Sequence, residues 1–360
     1  MLIYYLVTSL ESGGAELMIP DITTAIRDAG HHAHVFACEP RDRVAEARLV
    51  QAEVPYTLLS HIKASKLGSI FRFARAVRRT RPDVIWTSLS HATLVGQIVG
   101  ALFGIPVASW KHSAKAKTYI RRTQSLSSLW IADSVNVADH LKDDMGVDPQ
   151  HIVTWPLFNP VATGAAVPTW NGFGRLRIGS AGRLQPQKNY DLLILAVARL
   201  REIDPSTFEQ LNVTIAGDGP LRPHLQNLID SLSLRGTIRL LGWVDDISDY
   251  LRQLHLYVQP SAYEGMCIAA HEAMAVGLPV IVTPVGELRR SVEIGEAGIL
   301  IEGDIVDGLV IGVQKLIRHP ELMKVYGRNA EAYVMKAMSN RAFSQAARMS
   351  IARVEALAIA

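Results

Sequence analysis

Residues 256–282 read LYVQPSAYEGMCIAAHEAMAVGLPVIV, and the order of residue types there decides the fold. Apolar runs at Leu256–Val258 and Val280–Val282 enclose small apolar residues, with Gly265 before them and Gly277 and Pro279 after. The pattern predicts a strand, a loop, a helix from near Met266 to Gly277 and a second strand. Working outward, the same alternation recurs. Short β-branched runs such as HAHVFA (32–37), VPYTLL (54–59), DVIWTSL (83–89), LWIADS (129–134) and HIVTWPL (151–157) are separated by amphipathic stretches. In SIFRFARAVRR (69–79), for example, Ile70, Phe73, Ala74 and Val77 repeat at helical spacing. Alternating strand and helix implies doubly wound parallel sheets.

Near Asn159 the alternation lapses into NPVATGAAVPTWNGFG (159–174), which reads as a linker. A second series then follows: RLRIGSAG (175–182), LNVTIAGDGP (211–220), TIRLLGW (237–243), LHLYVQPS (254–261), LPVIVTPVG (278–286) and AGILIEG (297–303). The domains expected are 1–165 and 166–339, both Rossmann-like and facing a central cleft at the carboxyl ends of their strands, with a helix at 340–360 that packs back on the first. From Val306 onward the chain reads as helical.

Composition narrows the classes. Nearly half the residues are apolar (49%) and 20% are charged, enough to build two cores and too apolar for a disordered chain. Cys38 and Cys267 are the only cysteines and are far apart, so neither a disulfide framework nor a zinc site is expected, and a reducing cytoplasm fits. Residues 84–110 carry no Lys, Arg, Asp or Glu and are long enough to span a bilayer. Their Ser, Thr, Gln and His content, with Gly104 and Pro106, reads instead as strand, helix and strand.

Candidate functional residues fall at strand ends. Gly13 and Gly14 follow the first strand, where a plain tight turn and close backbone approach to a ligand are both open readings, with a helix expected near Glu16. RLRIGSAG ends at Gly182 and is followed by Arg183 and Lys188, two cations near a helix start that suit either a diphosphate clamp or a solvated loop. IAGDGPL (215–221) reads as a connecting turn. In the opening stretch, Glu264 and Glu272 stand eight positions apart, about 12 Å and 800° of helix, too far to act on one bond as a glycosidase pair. They suit different parts of one long ligand: Glu264 for sugar hydroxyls, Glu272 for a ribose diol, and the amides of Gly265, Met266 and Cys267 for the diphosphate between them.

On these residues the chain resembles the retaining GT-B glycosyltransferases of family 4. The resemblance rests on PSAYEGMCIAAHEAMAVGLPVI (260–281) together with GGAE (13–16), SWKHS (109–113), NPV (159–161), GRLQPQKN (182–189), GDGPL (217–221), LGWVDD (241–246) and TPVGELRRSVE (283–293), all in the family's order. It implies that Gly13 and Gly14 border the donor phosphate and that His112 lies beside the transferred sugar. Arg183 and Lys188 would bind diphosphate, and Trp243 and Val244 would meet the base. Met266, Cys267 and Ile268 replace the commoner residues after the first glutamate, Glu287 stands where a glycine is usual, and Ala162 where an Asp often follows NPV, so the sugar does not carry over. His271 reads as structural, and Cys267 as a packed side chain rather than an acidified thiol.

The implied activity is a retaining transfer of a sugar from a nucleoside-diphosphate sugar. His112, Glu264, Arg183 and Lys188 form the catalytic set, no cofactor is involved, and no divalent metal is expected, since no DxD occurs in the chain. A nucleotide-sugar epimerase and a catalytically silent sugar-nucleotide-binding subunit are the alternatives; incubation with donor alone separates the first. From His61 to Arg122 there are twelve Lys and Arg against one acid, Asp83, a local excess of eleven beside +3 for the whole chain. With Phe71, Phe73, Tyr119 and Ile120 nearby, this basic stretch suits either a solvated face or an anionic membrane surface and a lipid-linked or cell-envelope acceptor. It lacks the reader fold or stacking platform a nucleic-acid partner would need. The expected location is cytoplasmic, peripheral on the inner face of the membrane if lipid is the partner.

Overall fold

The computed structural model describes residues 1–160 and 167–359. The middle of the expected linker, 161–166 with Ala162, lies outside them. The chain divides into two compact units, Met1–Phe158 with Arg341–Ala360, and Asn159–Asn340.

The first unit holds seven strands: β1 Leu2–Ser9, β2 His32–Glu39, β3 Tyr56–Leu58, β4 Val84–Ser88, β5 Val107–Lys111, β6 Leu129–Ala132 and β7 Ile152–Thr154, all parallel, in the order β3-β2-β1-β4-β5-β6-β7. β1 is buried along nearly its whole length, as a strand covered on both faces must be. On one face Phe73 and Val77 of the helix Lys66–Thr80 seat against Tyr4, Leu6 and Phe36. That helix starts where the Ser65 hydroxyl accepts from the Gly68 amide at 3.1 Å. The stretch 84–110 resolves into β4, the helix Ser90–Phe103 and β5. Among the described residues no helix is long and apolar enough to cross a membrane.

The last helix, Asn340–Ile359, belongs to this unit. Phe343 meets Trp155 with ring centroids 5.5 Å apart, in a chain of rings that continues through Trp110 and Trp86. Aromatic pairs of this kind contribute about 0.5–1.5 kcal/mol beyond their buried area. The imidazole of His31 meets Glu355 at 2.6 Å and adds a polar clasp.

The second unit repeats the plan with six parallel strands: β8 Leu176–Ala181, β9 Leu211–Ala216, β10 Ile238–Gly242, β11 Leu256–Gln259, β12 Val280–Val282 and β13 Gly298–Leu300, in the order β10-β9-β8-β11-β12-β13. In both sheets the order reverses beside the first strand of the series, between β1 and β4 and between β8 and β11. Loops leaving two such strands diverge to opposite sides and open a crevice at their carboxyl ends, where ligands of these sheets bind.

Candidate functional site

In the second unit the loops after β8 and β11 flank that reversal and are stitched together. The Asn189 side-chain amide donates to the Pro260 carbonyl at 2.9 Å, and the Ala262 amide donates to the Gln187 carbonyl at 2.8 Å. Gly182, at φ +150°, leaves room for the folded-back lysine: a Cβ there would lie 3.1 Å from Lys188 Cε and 3.0 Å from the Tyr190 hydroxyl. The GDG turn (217–219) buttresses this loop. The Leu184 amide donates to the Asp218 carbonyl at 2.9 Å and that of Leu221 to the Leu184 carbonyl at 3.1 Å, the connecting role read from the sequence.

These constraints bring Lys188 and Glu264 together, Nζ to Oε1, at 2.7 Å, with both side chains largely buried. Burial alone would lower the lysine's pKa, but the Glu264 carboxylate reverses this and holds it well above its ordinary value, so the ammonium stays charged. Glu264 Oε1 also accepts from the Ser261 hydroxyl at 2.6 Å. Behind it, the Gln259 amide donates to Ser261 at 2.9 Å and the Tyr257 hydroxyl to Gln259 at 2.8 Å. The sequence reading missed this relay. Its signal was present as polar residues at 257, 259 and 261, a period of two along one face of an otherwise apolar strand.

The helix of the opening stretch runs Ile268–Ala275, two residues later than expected. Cys267 sits in left-handed backbone, φ 56°, which a helical residue cannot adopt. Gly265, Met266 and Cys267 therefore form the loop that enters the helix rather than its first turn. The Gly265 carbonyl accepts from the Glu287 amide at 2.9 Å, and Gly286, at φ +56°, passes so close that a Cβ would lie 2.4 Å from that same oxygen. Burial pushes the Cys267 thiol up, so it is a packed side chain. His271 is fully buried, 2.8 Å from the Ser291 hydroxyl and 3.1 Å from the Cys267 carbonyl, and burial lowers it to about 4. Its role is structural. Arg183 and Glu272 are half-buried, and Trp243, 43% exposed after β10, donates its indole N–H to Asp245 at 3.0 Å, with Val244 beside it.

Gly13, Gly14 and His112 belong to the first unit. The expected helix is interrupted: Gly14–Leu17 makes four residues, and a new helix starts at Ile19 around Pro20. Gly13 has ordinary extended dihedrals, so its need for glycine is steric; a Cβ would lie 2.1 Å from the buried Glu16 carboxylate. A link the sequence did not disclose holds this loop, the Ser12 amide and hydroxyl both donating to Asp42 at 3.0 and 2.8 Å. His112 follows β5. Its Nε2 is 2.5 Å from the Ser88 hydroxyl, its Nδ1 faces the buried Asp133 at 3.7 Å, and its ring stacks on Trp110 at 5.7 Å. The neighbouring Lys111 is buried as well, its ammonium donating to the carbonyls of Ser113 and of Lys115, the latter at 2.7 Å.

Comparison with known proteins converges on this layout. Residues 12–158 match the family Glycosyltransferase Family 4, and residues 174–333 match Glycosyl transferases group 1. A D-inositol 3-phosphate glycosyltransferase 2 of Catenulispora acidiphila is 33% identical over 89% of this chain and 85% of its own length. The Escherichia coli UDP-Gal:alpha-D-GlcNAc-diphosphoundecaprenol alpha-1,3-galactosyltransferase is 25% identical over 79% of each. With some other curated relatives the match spans only about half of the relative, 47%. Among solved structures, Anabaena Alr3699/HepE in complex with UDP-glucose superposes with a TM-score of 0.83 at 21% identity, covering 98% of this chain and all (100%) of the other; the likeness is one of fold.

Proposed function

We propose that this chain, which belongs to the family 4 glycosyltransferases (glycosyl transferases group 1), moves a sugar from a nucleoside-diphosphate sugar to an acceptor hydroxyl with retention of anomeric configuration and without a divalent metal. The observation that carries the reading is the buried Lys188–Glu264 pair where the strand order reverses. A lysine locked in its charged form can meet the charge that grows on a departing diphosphate without reorganising. Lys188 and Arg183 take the diphosphate together with the amides of Gly265, Met266 and Cys267. Glu264 turns its remaining acceptor capacity to the sugar, and Glu272 takes the ribose diol. The Trp243–Val244 segment meets the base, and Gly182 and Ile268 line the approach. Gly13 and Gly14 keep their role toward the phosphate and His112 its role toward the sugar. The leaving phosphate takes the acceptor proton on the face of attack, so no side chain need be a base.

The UDP-glucose in the Anabaena structure supports a nucleotide-sugar donor. The Escherichia coli relative, named for transfer onto a diphosphoundecaprenol-linked sugar, supports a lipid-linked or cell-envelope acceptor, met at an anionic membrane surface through the basic residues 61–122. A thermal-shift screen of UDP, GDP and ADP sugars tests the donor, since a ligand at a hundred times its Kd stabilises by about 2.7 kcal/mol. One nucleotide class is expected to stabilise, and turnover of that donor should survive EDTA. Stabilisation by none, or turnover lost to chelator and restored by manganese, contradicts the proposal.

A further inference from the structure

The fold sorts the basic stretch into parts that face water and parts that do not. Lys111, Phe73 and Ile120, all counted in it by sequence, are buried. The other eleven of the twelve cations are exposed, with Asp83 the lone acid among them. The two helices that carry most of them meet at one point: the Lys66 ammonium sits 3.7 Å over the ring of Tyr119, which joins the start of the helix Lys66–Thr80 to the helix Thr118–Thr123 with its Arg121 and Arg122. Within this stretch stand three large apolar side chains. Ile62 is 74% exposed, Leu67 80% and Phe71 72%. Leu67 and Phe71 are one helical turn apart, about 120° around the helix from Phe73 and Val77, which anchor it to the sheet.

Cations alone suit any polyanion. Apolar side chains held out among cations suit a bilayer, which offers anionic headgroups and an acyl layer a few ångströms beneath them, whereas a soluble polyanion has nothing to cover Leu67 and Phe71. We propose that Ile62, Leu67 and Phe71 form a wedge that enters the headgroup and acyl boundary of an anionic membrane while the arginines further along the helix rest on the headgroups. This deepens the membrane reading above and rests on it. Because the wedge contributes apolar burial, attachment persists in salt that screens the charges.

Sedimentation of the full chain with phosphatidylcholine vesicles, with and without phosphatidylglycerol, at low and high salt tests both layers. The wild type is expected on anionic vesicles at low salt, with a fraction retained at high salt. Leu67→Ser/Phe71→Ser, at exposed positions whose loss leaves the core intact, should bind roughly tenfold or more weakly and not at all at high salt. Arg75→Ser/Arg78→Ser should lose binding mainly at low salt. Wild-type chain that ignores anionic vesicles at low salt overturns the membrane reading itself. Wild type that binds, with the Leu67 and Phe71 variant unchanged, overturns the wedge and leaves the electrostatic attachment standing.

Discussion

Lys111 and Lys188 are two buried lysines at the carboxyl ends of parallel strands, and their environments drive them apart. Lys188 faces a carboxylate at 2.7 Å and is held charged, well above its ordinary pKa. Lys111 gives its protons to the backbone carbonyls of Ser113 and Lys115, and burial, only partly opposed by Asp133, lowers it to about 8. Burial is common to both, so the partner decides the charge. A dipole satisfies the hydrogen bonds of a buried ammonium without compensating its desolvation; a carboxylate does both.

The comparison breaks most visibly at Lys188 itself. Lys188→Ala leaves Glu264 buried without its cation, a loss of about 3–5 kcal/mol in pairs of this kind. We expect kcat/KM to fall by about two to three orders of magnitude. Titration calorimetry should show nucleoside diphosphate binding weakened more than nucleoside binding, and an equal loss of both would remove Lys188 from the phosphate.

Glu264→Gln is gentler and sharpens the contrast, because it keeps an oxygen for Lys188 and Ser261 but takes away the charge. It turns Lys188 into a second Lys111. Its pKa should drop toward the value near 8 seen there, and the charged, diphosphate-binding form should be lost as pH rises through it. A kcat/KM profile that is flat in the wild type to about pH 9 should acquire a falling alkaline limb in the variant, on top of a reduction of roughly ten- to a hundredfold at neutral pH. A flat profile in both would mean that Glu264 does not set the charge.

The strands were legible because apolar runs and glycine turns are local properties: all thirteen runs quoted or implied by the alternation are strands, including the three-residue β3, β7 and β13. The start of the helix at Ile268 was not, since it depends on Cys267 adopting left-handed backbone while the Gly265 carbonyl answers to Glu287, more than twenty residues away. The same limit applies to the sites. Residue types placed Lys188 and Glu264 at strand ends, but sequence assigned them to separate parts of a ligand, whereas the loops pair them with each other. Nothing local connects Ser12 with Asp42, or His112 with Ser88 and Asp133; those contacts exist because β1, β2, β4, β5 and β6 lie side by side. Counting charges found the basic surface but included Lys111, because whether a side chain at a strand end points into the core depends on pleat parity and on the helices that cover it.

The smallest effect concerns stability rather than turnover and tests the other half of the comparison. A lysine that titrates near 8 in the folded chain and near 10.5 when unfolded binds fewer protons folded than unfolded between those values. Stability must therefore rise with pH across that window, by about 1.4 kcal/mol per unit, while below pH 8 the ammonium is charged in both states and its desolvation weighs on the fold in full. Between pH 8 and 9.5 the first unit should gain about 1.5 kcal/mol from this group, the full slope being reached only above its midpoint. Lys111→Met, close in length and never charged, should abolish that part of the slope whatever constant offset it introduces through the carbonyls of Ser113 and Lys115. Urea unfolding at half-unit steps of pH, wild type minus variant, isolates it because every other titrating group cancels. A difference that stays flat would show that the ammonium keeps its ordinary pKa, and that hydrogen bonds to carbonyls alone are enough to hold a lysine charged in this core.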